Sequence, residues 1–303
     1  MSQPFDPVAG QPLVLEQGLR LVLAPNPSPM TERGTNTYIL GTGAVTVLDP
    51  GPADPAHLAA ILAALSPGET IAQIIVTHAH KDHSPAAAPL AATCGAPILA
   101  FGDARAGRSA RMESLSDADL GGGEGVDDTF LPDRLLPHGA SFEAGGRETL
   151  ALHTPGHFGN HLCFLWGDVL FSGDHVMGWA PSLVSPPDGD LTDFMASLDL
   201  VEATPHRRMY PGHGAPVEDG AARAAALRSH RLMRETAIRR AIEAGAHTVT
   251  AVTETVYADT DPRLRPAAAR NVLAHLIDLE ARGIIGFAGK PGFASPLEVR
   301  KAL

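Results

Sequence analysis

His78, His80, Asp82 and His83 follow directly on the apolar run 71–76. Imidazole nitrogens and carboxylate oxygens are zinc ligands, and a mixed nitrogen and oxygen set also suits iron or manganese. If the run is a strand, a loop leaving its end can turn His78 and His80 toward one ion and Asp82 and His83 toward a second. Three later positions extend the set. His157 stands in Thr154–Pro155–Gly156–His157, Asp174 in Ser172–Gly173–Asp174, and His213 in Tyr210–Pro211–Gly212–His213–Gly214. Each directly follows a glycine at the predicted end of a strand, where backbone can approach an ion closely. The chain carries 14 histidines in 303 residues, which also points to metal or acid–base chemistry.

His161, four positions after His157, starts the next predicted strand. It can line the pocket, binding substrate or giving a proton to the leaving group, or it can orient a ligand by hydrogen bonding. By strand alternation His175 points away from Asp174 and reads as structural. His57, His138 and His153 read as structural or surface residues.

These residues need a scaffold of strand ends. Strands are predicted at 13–15, 19–23, 37–40, 44–48, 71–76, 98–100, 150–153, 162–166, 169–171 and 208–210, from short β-branched or apolar runs bounded by turn residues. Helices are predicted from the Asp54 cap to about 65, at 85–94 with Gly95 as the stop, and from Asp190 to about 203. Residues 102–146, with Gly121–Gly122–Gly123 and Asp127–Asp128, read as an irregular, mobile loop beside the site. Further on, helices at 221–244, 248–257 and 266–282 precede a turn at Gly289–Lys290–Pro291–Gly292. Three helices and a small hairpin outline a winged helix.

Charge divides the chain at the same place. Residues 1–218 hold 10 Lys/Arg against 25 Asp/Glu, a net of −15, and residues 219–303 hold 13 against 9, a net of +4. A catalytic domain over 1–218 and a helical domain over 219–303 are therefore expected. Hydrophobic residues make up 44% and charged residues 19%, a globular composition that excludes disorder. No apolar run reaches the roughly 18 residues of a membrane span. Two cysteines, Cys94 and Cys163, cannot make a disulfide framework. No targeting segment is recognisable at the start of the chain. A cytoplasmic protein without a membrane partner is expected, with a homodimer among the assemblies open to it.

Taken in order, H-x-H-x-D-H (His78, His80, Asp82, His83), His157, Asp174 and His213 resemble the metallo-β-lactamase-fold hydrolase superfamily over about residues 11–218. The resemblance implies an α/β (α+β) αββα sandwich with the metals at one edge. It implies His78, His80 and His157 on one ion, Asp82, His83 and His213 on the other, and Asp174 bridging them. The Gly34–Thr35–Asn36–Thr37–Tyr38 and Tyr210–Pro211–Gly212–His213–Gly214 segments, with His230–Arg231–x–x–Arg234–Glu235, are similar to the subgroup named for β-lactamase-like protein 2, which carries a C-terminal winged helix. True β-lactamases of this fold do not pair His83 with a bridging acid such as Asp174, and flavodiiron proteins have a glutamate where this chain has His80. Neither activity is expected.

The cofactors expected are two divalent metal ions, zinc first, with iron or manganese as alternatives. Sharing a water between two such ions lowers its pKa and makes hydroxide available near neutrality. Asp82 can orient that nucleophile or shuttle its proton. The expected activity is cleavage of an ester-type bond by a metal-dependent hydrolase. The resemblance leaves two substrate classes open, a single-stranded RNA and a small-molecule thioester or related acyl compound of the kind glyoxalase II takes. For RNA, Arg231, Arg234, Arg239 and Arg240 would contact phosphates; an aromatic content of 5% and an acidic catalytic half weigh against it. A non-catalytic metal-binding regulatory protein is the third reading, which seven intact ligands disfavour.

Overall fold

The computed structural model of the chain describes residues 5–116, 120, 123 and 125–300. Its short apolar runs assemble into two large sheets. The first contains β1 (Pro12–Glu16), β2 (Leu19–Leu23), β3 (Asn36–Leu40), β4 (Ala44–Leu48), β5 (Thr70–Ile75), β6 (Ile98–Ala100) and β7 (Arg134–Leu135), in that spatial order. It is antiparallel as far as β4 and parallel from β4 to β7. The second contains β8 (Ser141–Ala144), β9 (Arg147–His153), β10 (Leu162–Trp166), β11 (Val169–Gly173) and β12 (Arg208–Pro211), ordered β12-β11-β10-β9-β8. There the pairs are antiparallel except β11 with β12.

Between the sheets, Leu21, Tyr38, Leu48 and Ile75 join Phe164, Trp166 and Phe171 in one buried cluster. Fully burying a side chain of this size is worth about 1.5–3 kcal/mol relative to leaving it exposed. Helices α1 (Pro55–Ala63) and α2 (Ala87–Cys94) cover the outer face of the first sheet, with Ile61 and Leu90 packed among Ile39, Val47 and Ile74. Asp54 caps α1 by accepting from the Ala56 amide at 2.8 Å, with Pro55 in the first turn. Gly95 ends α2 in the left-handed region at φ 73°, where a side chain would be strained. On the second sheet, α4 (Leu191–Ala203) and the first half of α5 (Gly220–Glu243) bring Phe194, Leu198 and Leu227 onto Leu152, Cys163 and Leu170. The four layers make the expected αββα sandwich.

The stretch 102–146 departs from expectation. It holds α3 (Ala110–Ser114) as well as β7 and β8, and β9 begins at Arg147, three residues early. Strand β7 is two exposed residues long and exists through its pairing with β6. Strand β8 reads Ser-Phe-Glu-Ala and exists through its pairing with β9, Ser141 opposite Leu150. Strands of this kind are set by their neighbours rather than by their own residues. Gly121 and Gly122 lie outside the described residues, whereas Val126 forms a bridge to His80, so part of this loop does lie against the site.

The second half of α5, α6 (Val249–Val256), α7 (Arg265–Ala281) and the hairpin of β13 (Ile285–Phe287) with β14 (Leu297–Val299) share a separate core. Ile238, Ile242, Val252, Leu276, Ile285 and Phe287 fill it, joined by Met112 and Leu115 from the α3 segment. Arg111 of α3 pairs with Glu280 of α7 at 2.6 Å. Helix α5 thus belongs to two cores at once. Among the described residues no helix is long and apolar enough to cross a membrane.

Candidate metal centre

Strand β5 delivers the His78–His83 turn to one edge of the sandwich, where the ends of β9, β11 and β12 also arrive. Two groups of ligand atoms result, one of His78, His80 and His157 and the other of Asp82, His83, Asp174 and His213. In the first, His78 Nε2 lies 2.9 Å from His80 Nδ1, and His157 Nε2 lies 3.1 Å from the same atom. In the second, His213 Nε2 lies 3.2 Å from Asp82 Oδ2 and 3.3 Å from Asp174 Oδ2, and His83 Nε2 is 3.4 Å from Asp174 Oδ1. Asp174 Oδ2 also stands 3.8 Å from His157 Nε2, so this carboxylate lies between the groups.

The outward ring nitrogens are already occupied. His83 Nδ1 donates to Asp49 Oδ2 at 2.9 Å, His157 Nδ1 to the Leu183 carbonyl at 2.7 Å, and His213 Nδ1 to the Gly34 carbonyl at 3.1 Å. His78 Nδ1 lies 2.9 Å from Thr77 Oγ1, which itself donates to Asp49 Oδ2 at 2.7 Å. Each of these bonds turns the other ring nitrogen inward, toward the other members of its group. Inward nitrogens about 3 Å apart, with two carboxylates among them, are a donor set for two divalent cations.

Electrostatics separate the two groups. Burial, with neighbouring imidazoles, pushes His80 down to about 3 and His78 well below the ordinary range, so both are neutral. Burial also disfavours charge on His83 and His213, but Asp174 and Asp82 outweigh it, raising His83 well above its usual value and His213 to about 9. Burial would raise Asp174, yet His213 and His83 hold it well below the usual carboxylate range. Without metal, the second group therefore keeps protons where a cation would supply the same positive charge.

Gly212 is required by this crowding: a Cβ there would stand 2.4 Å from Asp174 Oδ1 and 2.7 Å from His83 Cε1. Gly156 serves another purpose, since its Cβ would meet the backbone of Phe194 in α4 at 2.3 Å. The motif around residues 34–38 also gains a reason. Asn36 Nδ2 donates to the Pro211 and Gly214 carbonyls at 3.0 and 2.9 Å, and the Tyr38 hydroxyl donates to Pro211 at 2.7 Å, bracing the loop that carries His213.

Of the two roles open to His161, contact with substrate and support by hydrogen bonding, its surroundings match the second. It is fully buried, its Nε2 accepts from the Asp174 amide at 3.2 Å, and its Nδ1 lies 2.8 Å from Thr154 Oγ1. Both nitrogens are engaged within the fold, one of them with the Asp174 backbone. Asp82, with 28% of its side chain exposed, is the most accessible acid of the set. His175 packs on Phe194, and His57 lies 2.9 Å from Thr37 Oγ1 beneath Gly51.

A cavity of about 660 Å³ opens over the ligands His80, Asp82, His157 and Asp174. Met30, Val126, Met177, Trp179 and Leu183 give it apolar walls, and α5 and α7 add His230, Arg231, Arg234 and Asn271 to its lining. The four arginines expected to share phosphate contacts are dispersed. Arg231 is buried and bonds Asn271 Oδ1 at 2.8 Å and the Ser182 carbonyl. Arg234 lines the cavity, Arg239 lies 3.9 Å from Glu235, and Arg240 is exposed.

Sequence reasoning missed Asp49, the Leu183 carbonyl and Asn271. Asp49 is buried, holds a left-handed φ of 48° and accepts from the Thr77 amide as well as from His83 and Thr77 Oγ1. Backbone strain of this kind collects at functional sites. Its signal was an acid ending the apolar strand β4 just before Pro50–Gly51. Asn271 Oδ1 accepts from both Arg231 and the Val184 amide, the latter at 3.1 Å, and so fixes the segment that presents Leu183 to His157.

Residues 30–213 match the family model of the metallo-beta-lactamase superfamily, and residues 248–291 match the beta-lactamase associated winged helix domain. The chain belongs to the metallo-beta-lactamase superfamily, a family of hydrolases, and carries that winged helix at its C-terminal end. Its similarity to the Beta-lactamase-like protein 2 homolog of Drosophila melanogaster is 32% identity over 86% of this chain and 87% of that protein. It is also 32% identical, over 68% of this chain and 59% of the other, to an atrochrysone carboxyl ACP thioesterase of Aspergillus fumigatus. A metallo-beta-lactamase family protein of Thermus thermophilus superposes with a TM-score of 0.74 at 25% identity, over 95% of this chain and all of that one.

Proposed function

We propose that this protein hydrolyses a thioester or related activated acyl ester of a small molecule, using two divalent ions, zinc first, held by His78, His80 and His157 and by Asp82, His83 and His213, with Asp174 between them. The observation that carries this reading is the cavity: apolar-walled, lined in part by α5 and α7, and of a size that takes a small ligand. The thioesterase activity named for one relative supports it. When bound, such ions make water nucleophilic near neutral pH and polarise a carbonyl.

The protein's own residues do the rest. Asp174 sets the separation of the two ligand groups, and His161 holds its backbone amide. Asp82, the exposed acid, accepts a proton from the attacking water and returns it to the departing thiol. Water adds across the C–S bond to give a carboxylic acid and a free thiol. Met177, Trp179 and Leu183 offer apolar surface to the acyl or thiol chain beside the reacting carbonyl. Single-stranded RNA fits the geometry less well, because Arg231 is buried and the four arginines form no continuous exposed stripe.

The test is metal analysis of gently purified protein, followed by a panel of acyl thioesters beside a single-stranded RNA oligomer, each at low and high salt. Two ions per chain and salt-insensitive thioester turnover are expected, with Asp174→Asn losing most of both. RNA cleavage falling steeply with salt, and no thioester turnover, would overturn the reading in favour of a nuclease. One reproducible ion, with His83 and His213 unbound, would overturn the dinuclear assignment.

A further inference from the structure

The cavity lining combines three kinds of chemistry. The candidate metal ligands His80, Asp82, His157 and Asp174, the apolar Met177, Trp179 and Leu183, and His230, Arg231 and Arg234 from α5 with Tyr257 all line it. Arg231 and Arg234 lie one turn apart, so both side chains leave the same side of the helix. Neither forms an ion pair with an acid among the described residues. Arg231 is 4% exposed, its partners are the neutral Asn271 and Ser182, and its guanidinium lies 5.0 Å over the Phe194 ring. Arg234 Nε donates to the ring of His230 at 3.4 Å, and its guanidinium lies 4.9 Å over the Tyr257 ring. The nearby acids are taken. Glu235 pairs with Arg282 at 2.7 Å, and Asp188 of the cavity wall pairs with Arg108. A buried guanidinium left without an anion is costly, and two side by side repel each other.

We infer that the His230–Arg231–x–x–Arg234 wall, with Tyr257, is an anion subsite, and that the substrate carries a carboxylate or phosphate in addition to the bond that is cleaved. The inference rests on the proposed acyl hydrolysis for the placement of the reacting carbonyl at the candidate metal ligands. Arg234 is the residue that reaches the anion; Arg231, bound to Ser182 and Asn271, adds its field from behind. The wall suits a single anionic group inside a partly open cavity, which is a different demand from tracking a polymer backbone. The anion can come from the acyl part or from the thiol part of the substrate, and both present the same oxygens to a guanidinium.

The experiment uses the metal-loaded full chain and two matched pairs of thioesters. Adipoyl and hexanoyl thioesters of N-acetylcysteamine differ by a carboxylate on the acyl side. Hexanoyl thioesters of 4′-phosphopantetheine and pantetheine differ by a phosphate on the thiol side. One pair should show a preference of about tenfold or more in kcat/KM for its anionic member, carried by KM, and that pair identifies which part bears the charge. The preference should collapse toward unity in Arg234→Gln and persist in Arg234→Lys. Calorimetric titration with hexyl phosphate and with hexanoate gives a readout without turnover. At least one should bind about tenfold more weakly to Arg234→Gln, while an unchanged thermal midpoint shows that the variant is folded. Preference in neither pair, or preference and anion binding both undiminished in Arg234→Gln, overturns the subsite. Absence of all thioester turnover with Arg234-dependent anion binding intact overturns the acyl-hydrolase reading alone.

Discussion

Asp49 accepts the Nδ1 proton of His83 at 2.9 Å, in a buried contact between an acid outside the ligand set and a histidine inside it. The same oxygen accepts from Thr77 Oγ1, which lies beside His78 Nδ1. One carboxylate therefore orients a ligand from each of the two groups. Asp49→Asn removes the charge that favours both bonds. Metal affinity should fall about 10–100-fold, more at the His83 group than at the His78 group. Retention of both ions by the variant during dialysis against a weak chelator, at wild-type levels, would remove Asp49 from this role.

Asn271 acts on the other group from a distance. Its Oδ1 holds the Val184 amide and Arg231, and the intervening Leu183 carbonyl holds His157. Asn271→Ala should loosen the ion at His78, His80 and His157 by about tenfold while sparing the second ion. Chelator competition followed ion by ion checks this, and equal loss of both ions would contradict it.

Gly212→Ala forces a Cβ to within 2.4 Å of Asp174 Oδ1. The sandwich core does not depend on this position, so the fold should survive while the second group loses its ion. Metal content near one per chain with a modest drop in thermal midpoint is the expected result. Two tightly held ions in the variant would show that Asp174 can move aside.

Acid should destabilise the chain through two imidazoles outside the candidate ligand set. Burial holds His57 down at about 4, and burial with the Arg231 charge holds His275 at about 3. Both are below the unfolded value near 6.5, so the unfolded chain binds more protons. Stability contributed by these groups is present above about pH 6.5 and is lost as pH falls toward 4. The loss at pH 5 is about 2 kcal/mol for each. Urea unfolding at pH 7.5 and pH 5 measures it, and His275→Leu should narrow the gap between the two by about that amount. Identical gaps in the two proteins would rule out His275.

The strands from β2 to β6 and from β10 to β12 were legible because β-branched and apolar runs announce buried strands, and their ends fell within one or two residues. Strands β7 and β8 were not, because Arg134–Leu135 and Ser141–Ala144 owe their state to partners that no local pattern reveals. The seven candidate ligands, His78 to His213, could be picked out because each sits at a strand end with a distinctive residue type. His161 was harder: its position beside His157 suggested the pocket, and burial assigned it to the Asp174 amide. The Leu183 carbonyl left no trace in the sequence, because a backbone oxygen is common to every residue. Asp49 left a faint one, an acid closing an apolar strand.

The dependence of His157 on Asn271 has a consequence for the order of events during synthesis. His78 to His157 leave the ribosome long before α7, and His213 follows within a few seconds. At ordinary elongation rates of about 5–20 residues per second, α7 trails His157 by roughly ten seconds. During that interval the nascent sandwich can gather most of its ligands, but the Leu183 carbonyl is not yet locked in place. With the ions held as proposed, tight capture of the first is a late step, completed only when the last long helix docks, and a chain stalled before that point should exchange its metal freely with whatever the surroundings supply.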